Sequence, residues 1–288
     1  MIKVSVIITT HNRVTLLKRA VNSVLAQSYK NIELIIVNDA STDETNDYLK
    51  SLTNEFDVVN IFIDKSRGGN YARNVGIKAS TGEYIAFLDD DDYYLPDKIK
   101  KQMELIEDKG YQIVHCAKRI ENILDGRVEY RDEIVGGERC GDLTRKVLYV
   151  IPATTSCLLC SKQLLFDVGL FDENLMFWQE YELSIRLAQI CEFGLVNEPL
   201  VVYRIDVGDK NRLTNKYYGW KKAVEYIHMK HKLLYDKLDF SEKMLAKRLE
   251  YYDAAARLAL CNRKCFAKVK ICMAKICYIP HLLKKYNK

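Results

Sequence analysis

Two spacings of apolar residues alternate along the first part of the chain. Short runs of β-branched and aliphatic residues predict strands, and between them apolar residues recur at the spacing of one helix face. The predicted strands are residues 3–10, 32–37, 58–63 and 84–88. The predicted helices are residues 14–27, a helix that follows a capping box at Ser41 and Glu44, residues 71–79 and residues 96–109. Repeated strand–helix units predict an α/β fold, with a mostly parallel, Rossmann-like sheet flanked by helices.

The pattern becomes less regular after residue 110. We expect extended segments at residues 112–116, 155–159 and 195–203, and a helix at residues 179–190. From Asn215 onward the chain is predicted to be helical, in two segments divided near Asp239. The chain therefore divides into residues 1–110, residues 111–205 and a C-terminal helical region at residues 206–288.

Four consecutive aspartates, Asp89 to Asp92, directly follow the predicted strand 84–88. Carboxylates at the end of a buried strand are costly to desolvate unless a cation neutralises them. Since side chains alternate along extended backbone, Asp89 and Asp91 can face one site while the other two aspartates point away. Hard oxygen ligands favour Mg²⁺ or Mn²⁺, and Mg²⁺ is usually shared with substrate phosphates. The cluster therefore predicts a divalent cation and a phosphorylated ligand.

A solvated loop is the alternative interpretation of this cluster, because acids also complement the dipole of the helix that Pro96 would open. A calcium loop of the helix–loop–helix kind fits less well. Its sixth position requires glycine, and that position, counted from Asp89, holds Tyr94. The cluster taken alone leaves the metal site and the solvated loop open.

Three predicted strand ends carry polar residues that can share one cleft. Thr9, Asp39 and the aspartate cluster all fall at the carboxyl ends of strands, where open α/β sheets bind their ligands. The glycine patterns G-x-G-x-x-G and G-x-x-x-x-G-K-[ST] are both absent. Their absence argues against dehydrogenases and ATPases, so an acid-bound metal is the expected means of holding phosphate.

The composition predicts a soluble globular protein. With 288 residues, 48% of them hydrophobic, the chain can bury a large core. It has no run of about 18 apolar residues that could span a bilayer, and its first residues enter a strand without the features of a signal peptide. We therefore expect a cytoplasmic protein. Nine scattered cysteines are expected to be reduced, with Cys157 and Cys160 packed in the core rather than forming half of a zinc site.

The net charge of +5 comes from the C-terminal end of the chain. Nine Lys and Arg residues follow Asp253, the last acid, and without them the rest of the chain carries about −4. Such a body is not built to bind nucleic acid. Residues 254–288 combine these cations with apolar residues, a pattern typical of an amphipathic helix on an anionic membrane surface. Packing of this tail against the rest of the chain, or against a partner, is the alternative.

Five sequence blocks, in this order and spacing, resemble family-2 glycosyltransferases of the GT-A fold. They are VSVIITTHNR at 4–13, IVNDASTD at 36–43, GNYARNVG at 69–76, FLDDDD at 87–92, and FDE at 171–173 with WQEYELSIRL at 178–187. Each block is weak alone, but the five together make the resemblance cover residues 1–205. The resemblance implies transfer of a sugar from a nucleotide diphosphate sugar, most often a UDP-sugar, to an acceptor hydroxyl, with inversion at the anomeric carbon.

The resemblance also implies roles for individual residues. Thr9 and Asp39 would contact the base and ribose, and Arg73 would lie near the nucleotide. Asp91, together with Asp89, would hold the Mn²⁺ or Mg²⁺ that bridges the diphosphate. The implied nucleotide-binding set is Thr9, Asn12, Asp39, Arg73, Asp89 and Asp90.

Glu180 falls where the family places its general base, commonly an aspartate after a glutamate, and here the pair reads Gln179–Glu180. A single displacement needs one carboxylate to remove the proton of the attacking hydroxyl, so a carboxylate on a longer stem can serve. A second departure is Asn38, where the family has an acid. Without the resemblance, Glu180 could be an ordinary exposed acid of a first helical turn, Asp39 a turn residue and Arg73 a surface cation.

The expected protein is a metal-dependent inverting glycosyltransferase of cell-surface polysaccharide or glycolipid synthesis. Residues 1–110 would be its nucleotide-sugar-binding half and residues 111–205 its acceptor-binding half. Its expected partners are a nucleotide sugar and a saccharide or lipid-linked saccharide acceptor, at the inner face of the cell membrane. One alternative is an inactive nucleotide-sugar-binding or scaffold protein, suggested by Gln179 and Asn38. Another is a nucleotidyltransferase that makes sugar nucleotides, although the glycine-rich basic loop that such enzymes need after the first strand is missing.

Overall fold

The computed structural model describes residues 1–55, 57–209, 216–261 and 263–286, which form an α/β fold around one nine-stranded sheet. The strands are β1 (Val4–Thr10), β2 (Ile32–Asp39), β3 (Val58–Ile63), β4 (Tyr84–Asp89), β5 (Tyr93–Tyr94), β6 (Ile113–Leu124), β7 (Arg127–Glu133), β8 (Leu159–Ser161) and β9 (Phe193–Asp206). The α-helices are α1 (Val14–Leu25), α2 (Thr45–Glu55), α3 (Gly69–Ala79), α4 (Lys98–Lys109), α5 (Lys162–Asp167), α6 (Gln179–Leu187), α7 (Tyr217–Lys230), α8 (Lys232–Asp236), α9 (Phe240–Leu260), α10 (Lys264–Ile276) and α11 (Ile279–Tyr286). Short 3₁₀ helices lie at Gly137–Arg139, Lys146–Leu148 and Thr155–Cys157.

The sheet is mixed and mostly parallel. Its strand order is β3-β2-β1-β4-β8-β6-β9-β5, with β7 paired to β6. Strand β8 is antiparallel to both β4 and β6, so β6 and its parallel neighbour β9 run in the same direction as β1 to β4. Six of the described strands therefore share one direction, while β5, β7 and β8 oppose it. The predicted fold class is confirmed.

The central strands are buried over most of their length. Every residue from Val4 to Ile8 of β1 and from Ile85 to Leu88 of β4 is at most 1% exposed, which requires cover on both faces of the sheet. In the sheet register Thr9 pairs with Asp89 of β4 and with Val37 of β2. The carboxyl ends of these three strands therefore lie side by side, as predicted.

A glycine in α3 sets how closely this helix approaches the sheet. A Cβ added at Gly76 would lie 2.6 Å from Cγ2 of Ile7 in β1, a distance that side-chain carbons do not reach in packed cores. The close approach brings α3 against β1, and Arg73, one turn before Gly76, is only 7% exposed. Arg73 is thus held inside the protein and is not a surface cation.

The two cysteines that resemble half of a zinc site lie in the core. Cys157 and Cys160 are both buried, and none of the nine cysteines forms a disulfide. Core packing of this pair, predicted from its apolar surroundings, is confirmed.

Two local predictions were wrong because side chains bond to distant partners. The Ser41–Glu44 capping box does not form: α2 begins at Thr45, and Ser41 Oγ accepts a hydrogen bond from the Asn12 N–H at 2.9 Å. Residues 155–157 are a 3₁₀ turn rather than the start of a strand, because Ser156 is hydrogen-bonded to the aspartate cluster.

The β6–β7 hairpin was missed, although the sequence carries its signal. Asp125 and Gly126 connect the two strands with φ angles of 49° and 77°. Positive φ at both central positions is the geometry of the favoured two-residue hairpin turn, and Asp-Gly is among its preferred sequences. The hairpin extends β6 far beyond the predicted segment 112–116.

The C-terminal region forms α7 to α11 rather than two helical segments. The predicted start at Asn215 lies outside the described residues, and α7 begins at Tyr217. Near the predicted division, Asp239 caps α9: its carboxylate accepts from the N–H of Glu242, and Glu242 accepts from the N–H of Asp239. This reciprocal pair is a capping box, which stabilises the start of α9.

A buried carboxylate of α6 forms ion pairs with residues of the C-terminal helices. Glu182 is fully buried and lies 2.8 Å from Lys230 Nζ, 2.9 Å from His231 Nε2 and 2.7 Å from Arg186 Nη2. Burial opposes ionisation of this carboxyl, but hydrogen bonds from His231 and Arg186 outweigh it and lower the pKa of Glu182 to about 2.

We expect Glu182→Gln to destabilise the protein by about 2 kcal/mol at neutral pH, because it removes the charge-assisted hydrogen bonds between this buried carboxylate and the partly exposed Arg186 and Lys230. The pKa of Glu182 is lower in the folded protein than in the unfolded chain, where it is about 4.3. Its ionisation therefore stabilises the folded state above about pH 4.3, and this stabilisation is lost as the pH falls towards about 2. The difference in free energy of unfolding between Glu182→Gln and wild type should therefore become smaller below about pH 4.3. Denaturant unfolding across this pH range measures it. The matched control Glu225→Gln, in an exposed pair with Lys221, should change stability by less than about 0.5 kcal/mol.

Candidate active site

Two carboxylates of the aspartate cluster point into the protein. Asp90 is buried and accepts hydrogen bonds from Thr10 Oγ1 at 2.8 Å and Arg13 Nη1 at 3.1 Å. Asp92 is buried and accepts from Ser156 Oγ at 2.6 Å and from a backbone N–H of β9 at 3.0 Å. Burial raises the pKa of Asp90 to about 6 and that of Asp92 well above its usual range. These two carboxyls fix the turn that follows β4.

The other two aspartates keep contact with solvent. The Asp89 side chain is 31% exposed and that of Asp91 28% exposed. Asp89 accepts a hydrogen bond from Arg73 at 2.6 Å, and Asp91 lies 3.3 Å from Arg13 Nη1. The division into two inward and two outward carboxylates is the one expected, but a turn produces it rather than extended backbone, since the Asp92 N–H donates to the Asp89 carbonyl at 3.1 Å.

The outward pair fits a metal that is shared with a substrate. Within the described ranges, no group of three or more His, Cys, Asp and Glu residues could hold a metal ion by itself. Mg²⁺ needs only one or two protein carboxylates when phosphates and water complete its coordination. Asp89 and Asp91 supply two such carboxylates with hard oxygen donors. They suit a cation held jointly with a diphosphate, and metal dependence stays a prediction.

Arg73 connects the end of β4 to the start of α6. Its Nη2 donates to Asp89 at 2.6 Å, and its Nη1 donates to Gln179 Oε1 at 2.8 Å and to Asn70 Oδ1 at 3.3 Å. Gln179, the residue that departs from the family pattern, thus accepts a hydrogen bond from the guanidinium that also binds the aspartate cluster. The arrangement places the first turn of α6 beside Asp89.

Glu180 follows in the same helical turn and lines the cleft. The preceding residue, Trp178, has φ 53°, a left-handed conformation that is rare for a bulky side chain. Its ring packs edge-on against Tyr181 and Trp220, which holds the strained residue in place. Burial raises the pKa of Glu180, and the negative charge of Asp89 raises it further. Glu180 is therefore a partly buried carboxylate of increased basicity rather than an exposed acid.

Two of the other implied nucleotide-binding residues hold loops at the strand ends. The Asp39 carboxylate is buried and accepts from Ser66 Oγ at 2.7 Å and from two backbone N–H groups at residues 67–68, both at 2.9 Å. Asn12 Oδ1 accepts from the N–H of Thr42 at 2.6 Å. Thr9 is partly buried beside Asp89. Their contacts with a nucleotide stay predictions.

One cleft of about 1150 Å³ joins these groups to the C-terminal helices. Asp89, Arg73, Gln179 and Glu180 line it, together with Lys118 of β6. We call six further lining residues, cations and tyrosines on or beside the C-terminal helices, the helical part of the cleft. It consists of Lys146, Tyr149, Arg248, Tyr252, Tyr278 and Lys285.

Two residues that bond to the aspartate cluster, and two helices that line the cleft, are not identified by the sequence. Arg13 belongs to the first block of the resemblance but was given no role, and Ser156 carries no local signal because it bonds to Asp92 from 64 positions away. The contribution of α9 and α11 to the cleft was likewise not expected. The division of residues 1–205 into donor and acceptor halves stays a prediction.

Sequence comparisons identify the family. The family described as Glycosyl transferase family 2 matches residues 5–161. An uncharacterized glycosyltransferase of Rickettsia felis is 32% identical over 216 residues, covering 75% of this chain and 35% of that protein. This chain thus spans about a third of the length of that relative. The GalNAc(5)-diNAcBac-PP-undecaprenol beta-1,3-glucosyltransferase of Campylobacter jejuni is 27% identical over 261 residues, covering 89% of this chain and 82% of that protein.

The fold also matches solved structures. S. aureus TarS 1-349, in complex with UDP-GlcNAc, aligns with a TM-score of 0.62 at 15% identity, covering 98% of this chain and 92% of that chain. This likeness confirms the GT-A fold that the sequence blocks imply. With the family match extending over more than half of its length, this chain belongs to glycosyl transferase family 2.

Proposed function

We propose that this protein is a metal-dependent inverting glycosyltransferase that moves a hexose from a UDP-sugar to a hydroxyl of a lipid diphosphate-linked saccharide. The observation that carries the proposal is a partly buried carboxylate, Glu180, in the same cleft as Asp89 and Arg73. The donor class is supported by the UDP-GlcNAc bound to the structurally similar TarS. The acceptor class is supported by the undecaprenol-linked substrate named for the Campylobacter relative.

On the donor side, the leaving group is UDP, whose diphosphate gains negative charge as the bond to the sugar breaks. A bound Mg²⁺ or Mn²⁺ would supply positive charge to that diphosphate. Asp89 and Asp91 would hold the ion, and Arg73 keeps Asp89 in position through its 2.6 Å hydrogen bond. Fixed charges of this kind stabilise the transition state because they need no reorganisation during the reaction.

On the acceptor side, Glu180 removes the proton. The acceptor oxygen forms its bond to the anomeric carbon while the bond from that carbon to the diphosphate oxygen breaks, which inverts the configuration. The proton of the attacking hydroxyl passes to the Glu180 carboxylate. Burial raises the pKa of Glu180, which makes this carboxylate a stronger base towards that proton.

A transfer assay tests the proposal. The full chain is incubated with a panel of UDP-hexoses, Mn²⁺ and a saccharide on a polyprenyl diphosphate, and we expect UDP release with a new glycosidic bond of inverted configuration, read by NMR. Binding of UDP-sugars without any release of UDP would instead support the inactive binding protein. Pyrophosphate formation from UTP and a sugar phosphate would support the nucleotidyltransferase.

We further propose that α10 and α11 contact an anionic membrane. The inner face of this tail packs against α9, with Ala267, Ala274 and Cys277 buried. Its other face exposes large apolar side chains among lysines and no acids, a combination that suits an anionic lipid surface. These apolar residues include Phe266, Val269, Ile276, Ile279 and Leu283. Across the residues described here, no helix is both long and apolar enough to cross a bilayer.

We expect the protein to sediment with phosphatidylglycerol-containing vesicles and to be released by salt, because lysines near an anionic surface are screened by ions. Replacing Val269, Ile276 and Leu283 by serine should weaken vesicle binding by about tenfold or more, through loss of buried apolar area. As a matched control, serine at the exposed Leu124, Val128 and Ile134 of the hairpin region should leave it unchanged. An equal loss of vesicle binding in both triple variants would contradict a specific role of the tail.

A further inference from the structure

The helical part of the cleft carries positive charge that the protein does not neutralise. Three other cations of the cleft lie within ion-pair distance of carboxylates, in the pairs Arg73–Asp89, Arg139–Glu133 and Arg257–Asp253. Among the residues that the structure describes, Lys146, Arg248 and Lys285 have no carboxylate at that distance. Uncompensated cations lining one cavity attract an anionic ligand.

Arg248 is the most constrained of these cations. Its guanidinium lies 4.4 Å from the centre of the Tyr278 ring and 5.2 Å from that of Tyr252. Its Nε is buried and has no hydrogen-bond partner. Cation–π contacts with two rings restrain the guanidinium but use none of its N–H groups, which can therefore donate to a phosphate.

The other two cations reach the same region from different elements. Arg145 pairs with Glu242 of α9, which holds the 3₁₀ helix Lys146–Leu148 beside α9. Lys285 lies on α11, which packs against α9. Tyr278 directly precedes the first residue of α11. Three separate elements therefore bring cations to the one cavity that also contains Glu180.

The size and surroundings of the cleft indicate what this anion is attached to. A single small ligand typically occupies a pocket of about 300–1000 Å³, and the cleft of about 1150 Å³ exceeds that range. Its helical part adjoins the exposed apolar and basic face of α11. A ligand with a sugar hydroxyl at Glu180 and a phosphate at Arg248 would extend towards that face with its lipid.

We propose that Arg248, assisted by Lys146 and Lys285, binds the diphosphate of the acceptor, whose saccharide then reaches Glu180. This inference rests on the proposed function and adds the residues that recognise the acceptor. The diphosphate is the recognised group, whether it is carried on a long lipid or on a short soluble chain. Arg248 is a binding residue in this assignment and takes no part in the proton transfer.

The experiment compares one saccharide carried on a long polyprenyl diphosphate, on a short prenyl diphosphate and on a neutral alkyl ether. We expect Arg248→Ala to raise KM for both diphosphate acceptors by about tenfold to a hundredfold, the effect of losing charge-assisted hydrogen bonds. KM for the neutral acceptor and for the UDP-sugar should stay unchanged. Arg248→Lys should recover part of the loss, because it restores the charge without the planar fork.

Lys243→Ala is the matched control, since it removes one charge from the exposed side of the same helix and leaves the cleft intact. It should change none of these constants. Equal loss with charged and neutral acceptors would overturn the proposal and make Arg248 a packing residue. A loss confined to the long-chain acceptor would also overturn it, because the lipid rather than the phosphate would then be recognised.

Direct binding separates this inference from the proposed function. If wild-type protein transfers sugar to none of the three acceptors, calorimetric titration with the short prenyl diphosphate saccharide still shows whether Arg248 binds the diphosphate. Binding to wild type that is lost in Arg248→Ala supports the diphosphate site. Absence of binding to wild type, or equal binding to both proteins, overturns it.

Discussion

Glu180→Gln is expected to lower kcat for sugar transfer by about a thousandfold, the typical contribution of a positioned general base. The amide keeps the shape of the side chain but cannot accept the proton of the attacking hydroxyl. Because Arg73 bonds to Asp89 and Gln179 rather than to Glu180, the donor side of the cleft should be undisturbed. Calorimetry should therefore give an unchanged Kd for UDP, while initial rates of transfer fall.

The pH profile adds a second readout for the same residue. Burial raises the pKa of Glu180, so the acid limb of the wild-type kcat profile should lie above the ordinary glutamate value of about 4.3. The residual activity of Glu180→Gln should lack that limb. Glu104→Gln, on the exposed surface of α4, is the control and should retain wild-type rates. Wild-type kcat in Glu180→Gln would remove this residue from the base role.

The parallel part of the sheet could be predicted because its signals are local. The predicted strand 3–10 is observed as Val4–Thr10, and the predicted strand 84–88 as Tyr84–Asp89. Buried parallel strands require continuous apolar runs, which are visible in a single sequence. Once the strand ends are known, the position of Thr9 beside the aspartate cluster follows from the topology.

The bonds that shape the site could not be predicted in the same way. Arg73 meets Gln179 across 106 positions, and Ser156 meets Asp92 across 64. Neither contact has a periodicity or a fixed spacing, since each depends on how separate elements pack. The inward orientation of Arg73 follows from the close packing of α3 at Gly76, which helix propensity does not encode.

The basic amphipathic pattern of the tail is compatible both with membrane contact and with packing against the rest of the chain. In the structure α10 buries Ala267 and Ala274 against α9, so the small residues mark the packed face. The large apolar residues and the lysines stay exposed. In α10 the packed face is thus made by alanines rather than by the larger apolar residues.

Asp91→Asn is expected to remove the effect of metal on donor binding. In wild type, Mn²⁺ should tighten UDP binding, because Asp89 and Asp91 would hold an ion that offsets the negative charge of the diphosphate. The asparagine lacks the charge needed to hold a divalent cation, and no group of three or more His, Cys, Asp and Glu among the described residues could hold the ion in its place. The Kd for UDP in Mn²⁺ should then equal the value in EDTA, with kcat at least about a hundredfold lower.

We expect Asp91→Asn to lose the effect of metal on UDP binding without unfolding the protein, because the inward aspartates rather than Asp91 hold the turn. Asp90 and Asp92 hold the turn through buried hydrogen bonds, whereas Asp91 is partly exposed and contacts Arg13 at the surface. Asp91→Asn should therefore change stability by no more than about 1 kcal/mol. Asp108→Asn, an exposed carboxylate on α4, is the matched control and should keep the metal effect. If Mn²⁺ tightens UDP binding equally in Asp91→Asn and wild type, Asp91 is not a ligand, and the outward carboxylates must be assigned to the ribose or to the acceptor.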